Sequence, residues 1–173
     1  ELIKKFNSAI FPGLQGGPHM NQVAATALTM KKVATSEFNN YALMVLKNAK
    51  KLAEELLAEG FDLITGGTEN HLIVIDTVKS LGLDGKKAEE LLDEYGITTN
   101  KQVIPDDPNP PLRPSGIRLG TPAVTTRGME EEDMKIIAKW ISKILKEKEN
   151  LKSLTGLKND IKNFSDKFVL PGI

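Results

Sequence analysis

Cysteine is absent from the 173 residues of this sequence, and neither sign of charge predominates. Without cysteine the protein has neither disulfides nor thiolate metal sites, which is compatible with a cytoplasmic location. The 23 Lys and Arg residues balance 23 Asp and Glu residues, so no general basic field attracts nucleic acid or an anionic membrane. No apolar run approaches the roughly 20 residues needed to span a bilayer, and the first residues do not resemble a signal peptide. These absences predict a soluble protein with neither nucleic acid nor a membrane among its partners.

Patterns that would mark a self-contained catalytic centre are missing as well. No spacing of His, Asp and Glu indicates a metal site, and no serine or histidine forms a recognisable nucleophile arrangement. The chain starts at Glu1 rather than Met, directly in a helix-like stretch with Leu2, Ile3 and Phe6. We therefore expect it to be part of a longer protein.

The hydrophobic pattern predicts helices before and after a group of short strands. Two long helices are expected over residues 18–35 and 37–59, the second with Ser36 as its N-cap, and a later helix is capped by Asp84. Four strands are expected over residues 61–65, 71–76, 97–100 and 116–121. A proline-rich loop, residues 103–114, separates the last two. We predict an α+β domain with a short, mostly antiparallel sheet, helices on one face and a long helical connector before it.

The most informative segment is Ser-Gly-Ile-Arg-Leu-Gly-Thr-Pro at residues 115–122. Residues two apart on a strand share a face, so Arg118 lies between Gly116 and Gly120 while Ile117 and Leu119 point into a core. Bare backbone beside a guanidinium leaves room for a planar anion that accepts two parallel N–H bonds. This pattern predicts a carboxylate-binding residue at Arg118, and the alternative is an ordinary surface arginine.

A second candidate site is the glycine loop, residues 13–18, with the sequence Gly-Leu-Gln-Gly-Gly-Pro. Two glycines before a proline at a helix start expose backbone N–H groups, which attract phosphate or carboxylate. The alternative is a simple turn before a helix.

Several motifs together resemble the serine hydroxymethyltransferase family. They are Phe-Pro-Gly-Leu-Gln-Gly-Gly-Pro at residues 11–18, Gly-Gly-Thr-Glu-Asn-His-Leu at 66–72, Asn-Lys at 100–101, and Arg-Pro-Ser-Gly-Ile-Arg-Leu-Gly-Thr-Pro-Ala at 113–123. The resemblance covers nearly the whole chain, to the helix near Trp140 and beyond. It implies the C-terminal part of a pyridoxal-phosphate enzyme with an aspartate-aminotransferase-like fold, in which serine and glycine are interconverted and a one-carbon unit passes to tetrahydrofolate.

The resemblance also implies a division of the chain and roles for single residues. Residues 1–34 correspond to the end of the large cofactor-binding domain, and residues 35–173 to the C-terminal small domain. Arg118 occupies the position that binds the substrate carboxylate. Gly16 and Gly17 occupy the loop that reaches the cofactor phosphate of the neighbouring subunit in a homodimer.

The expected folate contacts are Lys101 and Gln102, followed by the proline-rich loop. Gln102 stands where the family usually has asparagine, and Asn21 where it often has histidine. Gln102 retains an amide donor and acceptor, one methylene further from the backbone. The family's Schiff-base lysine lies in a Thr-Thr-His-Lys segment that this sequence does not contain. No catalytic residue is therefore assigned, and the chain alone is expected to be inactive.

Two other interpretations remain open on the sequence. One is the C-terminal domain of another pyridoxal-phosphate enzyme, such as an aminotransferase, which would also bind a carboxylate through an arginine. The other is a binding module without catalytic activity.

Overall fold

A computed structural model of the chain describes residues 1–148, 150 and 154–170. Its elements group into two units, Glu1–Asn40 and Tyr41–Ile173. The division between residues 34 and 35 that the family resemblance implies stays a prediction.

The first unit is helical and has no buried core of its own. It contains α1 (Leu2–Ser8), a wide π-type turn (Ala9–Leu14) and α2 (Met20–Val33), and none of these elements has a buried residue. The helix α3 (Ser36–Ala58) begins here and continues into the second unit. The expected N-cap at Ser36 is wrong, because the Thr35 hydroxyl accepts the hydrogen bond from the Phe38 N–H at 3.2 Å and Ser36 is already helical.

The second unit contains a four-stranded antiparallel sheet. Its strands are β1 (Asp62–Leu63), β2 (Leu72–Asp76), β3 (Asn100–Gln102) and β4 (Gly116–Gly120), in the spatial order β1-β2-β4-β3. All neighbouring pairs are antiparallel. The strand expected over residues 97–100 starts later. The Ile97 N–H donates to Leu92 O at 2.9 Å, so this part of the chain still follows the preceding helix.

The part of the second unit that the structure describes has five further α-helices: α4 (Thr77–Leu81), α5 (Gly85–Glu94), α6 (Pro122–Thr126), α7 (Glu131–Lys146) and α8 (Leu157–Ser165). The predicted cap of α5 is confirmed, because Asp84 Oδ1 accepts from the Lys87 N–H at 2.9 Å. At the start of α7, Glu130 and Asp133 form a reciprocal capping box.

The core lies between one face of the sheet and helices α3, α5, α7 and α8. Ile73 and Ile75 of β2 are buried together with Ile117 and Leu119 of β4. Alternate residues of β2 are buried and half-buried, which is the period expected of a strand with one face on a core. The predicted α+β fold with a short antiparallel sheet is therefore confirmed.

Among the described residues, no helix has the length and the apolar character needed to cross a membrane.

Candidate functional site

Arg118 lies in the middle of β4, an inner strand of the sheet. In the antiparallel register it is opposite Val74 of β2 and Asn100 of β3. Its side chain is exposed, while Ile117 and Leu119 are buried. The guanidinium Nη2 donates to Asn100 Oδ1 at 3.4 Å, and no carboxylate in the described part of the chain forms an ion pair with it. The group therefore keeps N–H donors that an anion can accept.

The two glycines beside Arg118 differ in how closely other atoms cover them. At Gly120, a Cβ would lie 3.4 Å from the nearest atom, Leu72 Cδ2, which is an ordinary contact. At Gly116, a Cβ would lie 2.7 Å from Ile104 Cγ2 and 2.8 Å from Ile75 O. The prediction of bare backbone on both sides is thus wrong at Gly116, because the proline-rich loop places Ile104 over it. Gly120 is covered less closely, since a Cβ there would make ordinary contacts with Leu72, His71 and Pro122 at 3.4 to 3.7 Å.

The two expected folate residues of β3 already have local partners. Lys101 is held twice by Glu89 of α5: its N–H donates to Oε1 at 3.2 Å and its ammonium to Oε2 at 3.0 Å. Burial raises the pKa of Glu89, but the hydrogen bonds and charge of Lys101 outweigh it and lower that pKa overall. The Gln102 Nε2 donates to Val103 O at 2.9 Å. A ligand at Lys101 therefore has to compete with an existing ion pair.

The proline-rich loop is organised around the carboxylate of Asp107. Its Oδ2 accepts hydrogen bonds from the N–H groups of Ile104 and Ser115, at 3.2 and 2.9 Å. Its Oδ1 accepts from the Asn109 N–H at 2.9 Å and from the Ser115 hydroxyl at 2.6 Å. Burial raises the pKa of Asp107, but these four hydrogen bonds outweigh it and lower that pKa to about 2. The carboxylate is thus ionised across the physiological range.

We expect the Asp107 carboxyl to titrate with a midpoint of about 2 rather than at its usual 3.8. Because the pKa is lowered in the folded protein, the stabilisation from its hydrogen bonds is complete above pH 3.8 and is lost as the pH falls through about 2. The carboxyl chemical shift of Asp107, followed by NMR against pH, measures this midpoint. A midpoint near 3.8 would show that the four hydrogen bonds do not persist in solution.

The glycine loop lies in the first unit and borders an open groove of about 670 Å³ that extends from Leu14 to Ala27. A Cβ at Gly16 or Gly17 would meet no atom within 4 Å, and both residues are exposed. Within the described part of the chain, their N–H groups form no hydrogen bond. Free N–H donors on backbone without side chains fit an anionic group such as a phosphate.

Arg118, Lys101 and Gln102 lie on adjacent strands, and the register places Gln102 on the face of the sheet that carries Arg118 but Lys101 on the opposite face, beside Ile117. Gly16 and Gly17 belong to the other unit. Sequence reasoning missed the role of Asp107 in organising the proline-rich loop, because the sequence shows only that an acidic residue lies among prolines. It also missed Gly85, the first residue of α5. The Gly85 N–H donates to Pro114 O at 2.7 Å, and a Cβ there would lie 2.0 Å from Gly116 O.

Comparison with known protein families places most of the chain within a family model. A family model described as serine hydroxymethyltransferase matches residues 1–141, which is most of the chain. The matched span contains the glycine loop, β3, the proline-rich loop and β4, and it ends within α7. This match favours the family resemblance over the two alternatives, which are another pyridoxal-phosphate enzyme and a binding module without catalytic activity.

Proposed function

Because the chain belongs to the serine hydroxymethyltransferase family, whose members are hydroxymethyl transferases of one-carbon metabolism, we propose that it supplies the substrate-carboxylate site of an enzyme that interconverts serine and glycine. Tetrahydrofolate accepts the one-carbon unit in this proposal. The observation that carries it is the guanidinium of Arg118, which is exposed on β4 and has no carboxylate partner in the described residues. The test is the serine kcat/KM of Arg118 variants, measured beside their cofactor affinity.

Arg118 binds and orients the amino-acid substrate. Its planar guanidinium matches a carboxylate with two parallel N–H bonds, which fixes both the position and the plane of the anion. The hydrogen bond to Asn100 Oδ1 restrains the guanidinium from the neighbouring strand. The two strands are paired over three residues, so the site rests on regular backbone. Such preorganisation keeps the substrate in a reactive orientation.

The cosubstrate folate is assigned to the end of β3 and the loop that follows. Gln102 uses its Nε2 locally, and its Oε1 is available as an acceptor for a pterin N–H. Lys101 takes part after its ammonium leaves Glu89, which also accepts from its N–H.

The family depends on pyridoxal phosphate, and the glycine loop fits the phosphate of that cofactor. Gly16 and Gly17 offer N–H donors without a partner among the described residues, and no side chain that would block a close approach. When bound, the cofactor supplies the electron sink for bond breaking at the substrate. We assign the loop to the cofactor of the neighbouring subunit in a homodimer. The sequence holds no Thr-Thr-His-Lys segment, so we propose no covalent anchor and no turnover by this chain alone.

Replacing Gly17 with valine in the dimeric holoenzyme is expected to weaken cofactor binding about tenfold, because a branched side chain keeps the phosphate away from the backbone donors. Cofactor retention through dialysis and direct titration measure the change. Folding is expected to persist, since a side chain at Gly17 meets open space. Unchanged cofactor affinity would show that the loop is only a turn.

The cytoplasmic location and the homodimer stay predictions.

A further inference from the structure

The proline-rich loop, residues 103–114, has few backbone hydrogen bonds that could fix its conformation. Five of its twelve residues are prolines, which fix one backbone angle and carry no N–H. Two hydrogen bonds inside it close local turns. The Asp107 N–H donates to Ile104 O at 3.2 Å, and the Arg113 N–H donates to Pro110 O at 2.8 Å. These turns shape short pieces of the loop and leave their mutual arrangement open.

The Asp107 carboxylate connects those pieces. It accepts N–H bonds from Ile104 near the start of the loop, from Asn109 in its middle and from Ser115 directly after its end. The Ser115 hydroxyl donates to the same carboxylate and also accepts from Asn109 Nδ2 at 2.9 Å. Ser115 is 1% exposed, so this end of the network lies inside the protein. One anionic side chain thus joins residues that are eleven positions apart.

The network also reaches the face of β4 that carries Arg118. Gly116 and Arg118 share a face of the strand, and Ile104 covers Gly116 there. Because the Asp107 carboxylate accepts a hydrogen bond from the Ile104 N–H, it helps to hold Ile104 over Gly116. Arg118 itself is held independently by the pairing of β4 with β2 and β3.

We propose that Asp107 is a positioning residue for the cosubstrate: its carboxylate fixes the proline-rich loop and Ile104 in the arrangement that receives the folate, without touching the amino-acid substrate. This inference rests on the proposed function. It assigns different roles to two neighbouring segments. The sheet positions Arg118, which binds the substrate carboxylate, and Asp107 positions the loop that receives the folate.

The test is Asp107→Asn in the holoenzyme. An amide cannot accept all four hydrogen bonds, so we expect the KM for tetrahydrofolate to rise about tenfold while the KM for serine stays within about twofold. Amide hydrogen exchange at Asn109 and Ser115 is expected to become faster, which reports the loop without any turnover. Ser115→Ala removes one of the four bonds, retains the backbone bond, and is expected to give a smaller change in the same direction.

The matched control is Asp93→Asn, an identical substitution at an exposed position of α5 whose side chain makes no hydrogen bond or ion pair in the described residues. It is expected to change neither KM. Equal rises in both KM values for the Asp107 variant, with a lower melting temperature, would reduce Asp107 to a structural residue and overturn the inference. Unchanged exchange and unchanged KM for tetrahydrofolate would overturn it as well.

Failure of the proposed function gives a different result. If Arg118→Ala leaves serine kinetics unchanged, the assignment of the substrate site is wrong. If serine kinetics respond to Arg118→Ala and folate kinetics do not respond to Asp107→Asn, only the inference on Asp107 fails.

Discussion

Arg118→Ala is expected to lower the kcat/KM for serine by roughly 30- to 5000-fold, or about 2 to 5 kcal/mol, in the holoenzyme. The substitution removes both N–H bonds to the substrate carboxylate and leaves that anion without a countercharge. Arg118→Lys is expected to recover part of the loss, because an ammonium restores the charge and not the planar two-bond geometry. Steady-state kinetics with serine for the three proteins measure these differences.

The control for this prediction is Lys87→Ala, which removes an exposed cation of α5 that has no ion-pair partner among the described residues. Its expected effect on kcat/KM is within about 0.5 kcal/mol. Cofactor affinity is expected to be the same in all four proteins, since Arg118 acts on the substrate. Near-equal kcat/KM values for Arg118→Ala and the unsubstituted enzyme would identify Arg118 as an ordinary surface residue.

Gly85→Ala is expected to reduce the free energy of unfolding by about 3 kcal/mol, at the upper end of the usual cost of overpacking. The new methyl group would lie 2.0 Å from Gly116 O, 2.8 Å from Gly116 C and 3.1 Å from Pro114 O. All three are backbone atoms, and Gly116 is held in β4 by pairing on both sides. Neither partner can move aside by rotating a side chain, so α5 has to shift away from the sheet.

Urea unfolding of the protein, compared with Gly120→Ala, measures this cost. The control makes the same substitution in β4, where the nearest atom to the new methyl is 3.4 Å away, and its expected cost is below about 1 kcal/mol. The sign of the change in the free energy of unfolding of Gly85→Ala is itself informative. Without a clash, Gly→Ala stabilises a protein by about 0.4 to 1 kcal/mol through the unfolded chain. An equal or higher stability of Gly85→Ala would contradict the close packing of α5 on β4.

Sequence reasoning succeeded where the determinants are close together in the chain. The helix after Asp84 is capped by a residue three positions before its hydrogen-bond donor, and Gly96 after its end has a positive φ of 84°. The alternation around Arg118 likewise depends on the two-residue period of one strand. The Thr35 cap shows the limit of this approach, since Thr35 and Ser36 are both good capping residues and only the geometry decides between them.

Contacts between distant residues could not be read from the sequence. The cover over Gly116 comes from Ile104, twelve residues earlier, and it depends on the path of the proline-rich loop. The ion pair between Glu89 and Lys101 joins α5 to β3. From the sequence, each of these residues had many other possible partners of opposite charge. Periodicity and spacing describe single elements, whereas these contacts depend on how elements pack.

Both edges of the four-stranded sheet are short, with two residues in β1 and three in β3. The Asp62 N–H at one edge donates to Ser80 Oγ at 2.9 Å, and the Lys101 N–H at the other donates to Glu89 Oε1 at 3.2 Å. Free N–H groups on an edge strand recruit strands from other molecules. Since side chains from adjacent helices already occupy these positions, the sheet is protected from growing by addition of a strand from a second copy. Aggregation into stacked β-structure, which begins with such an addition, is therefore disfavoured while the domain stays folded.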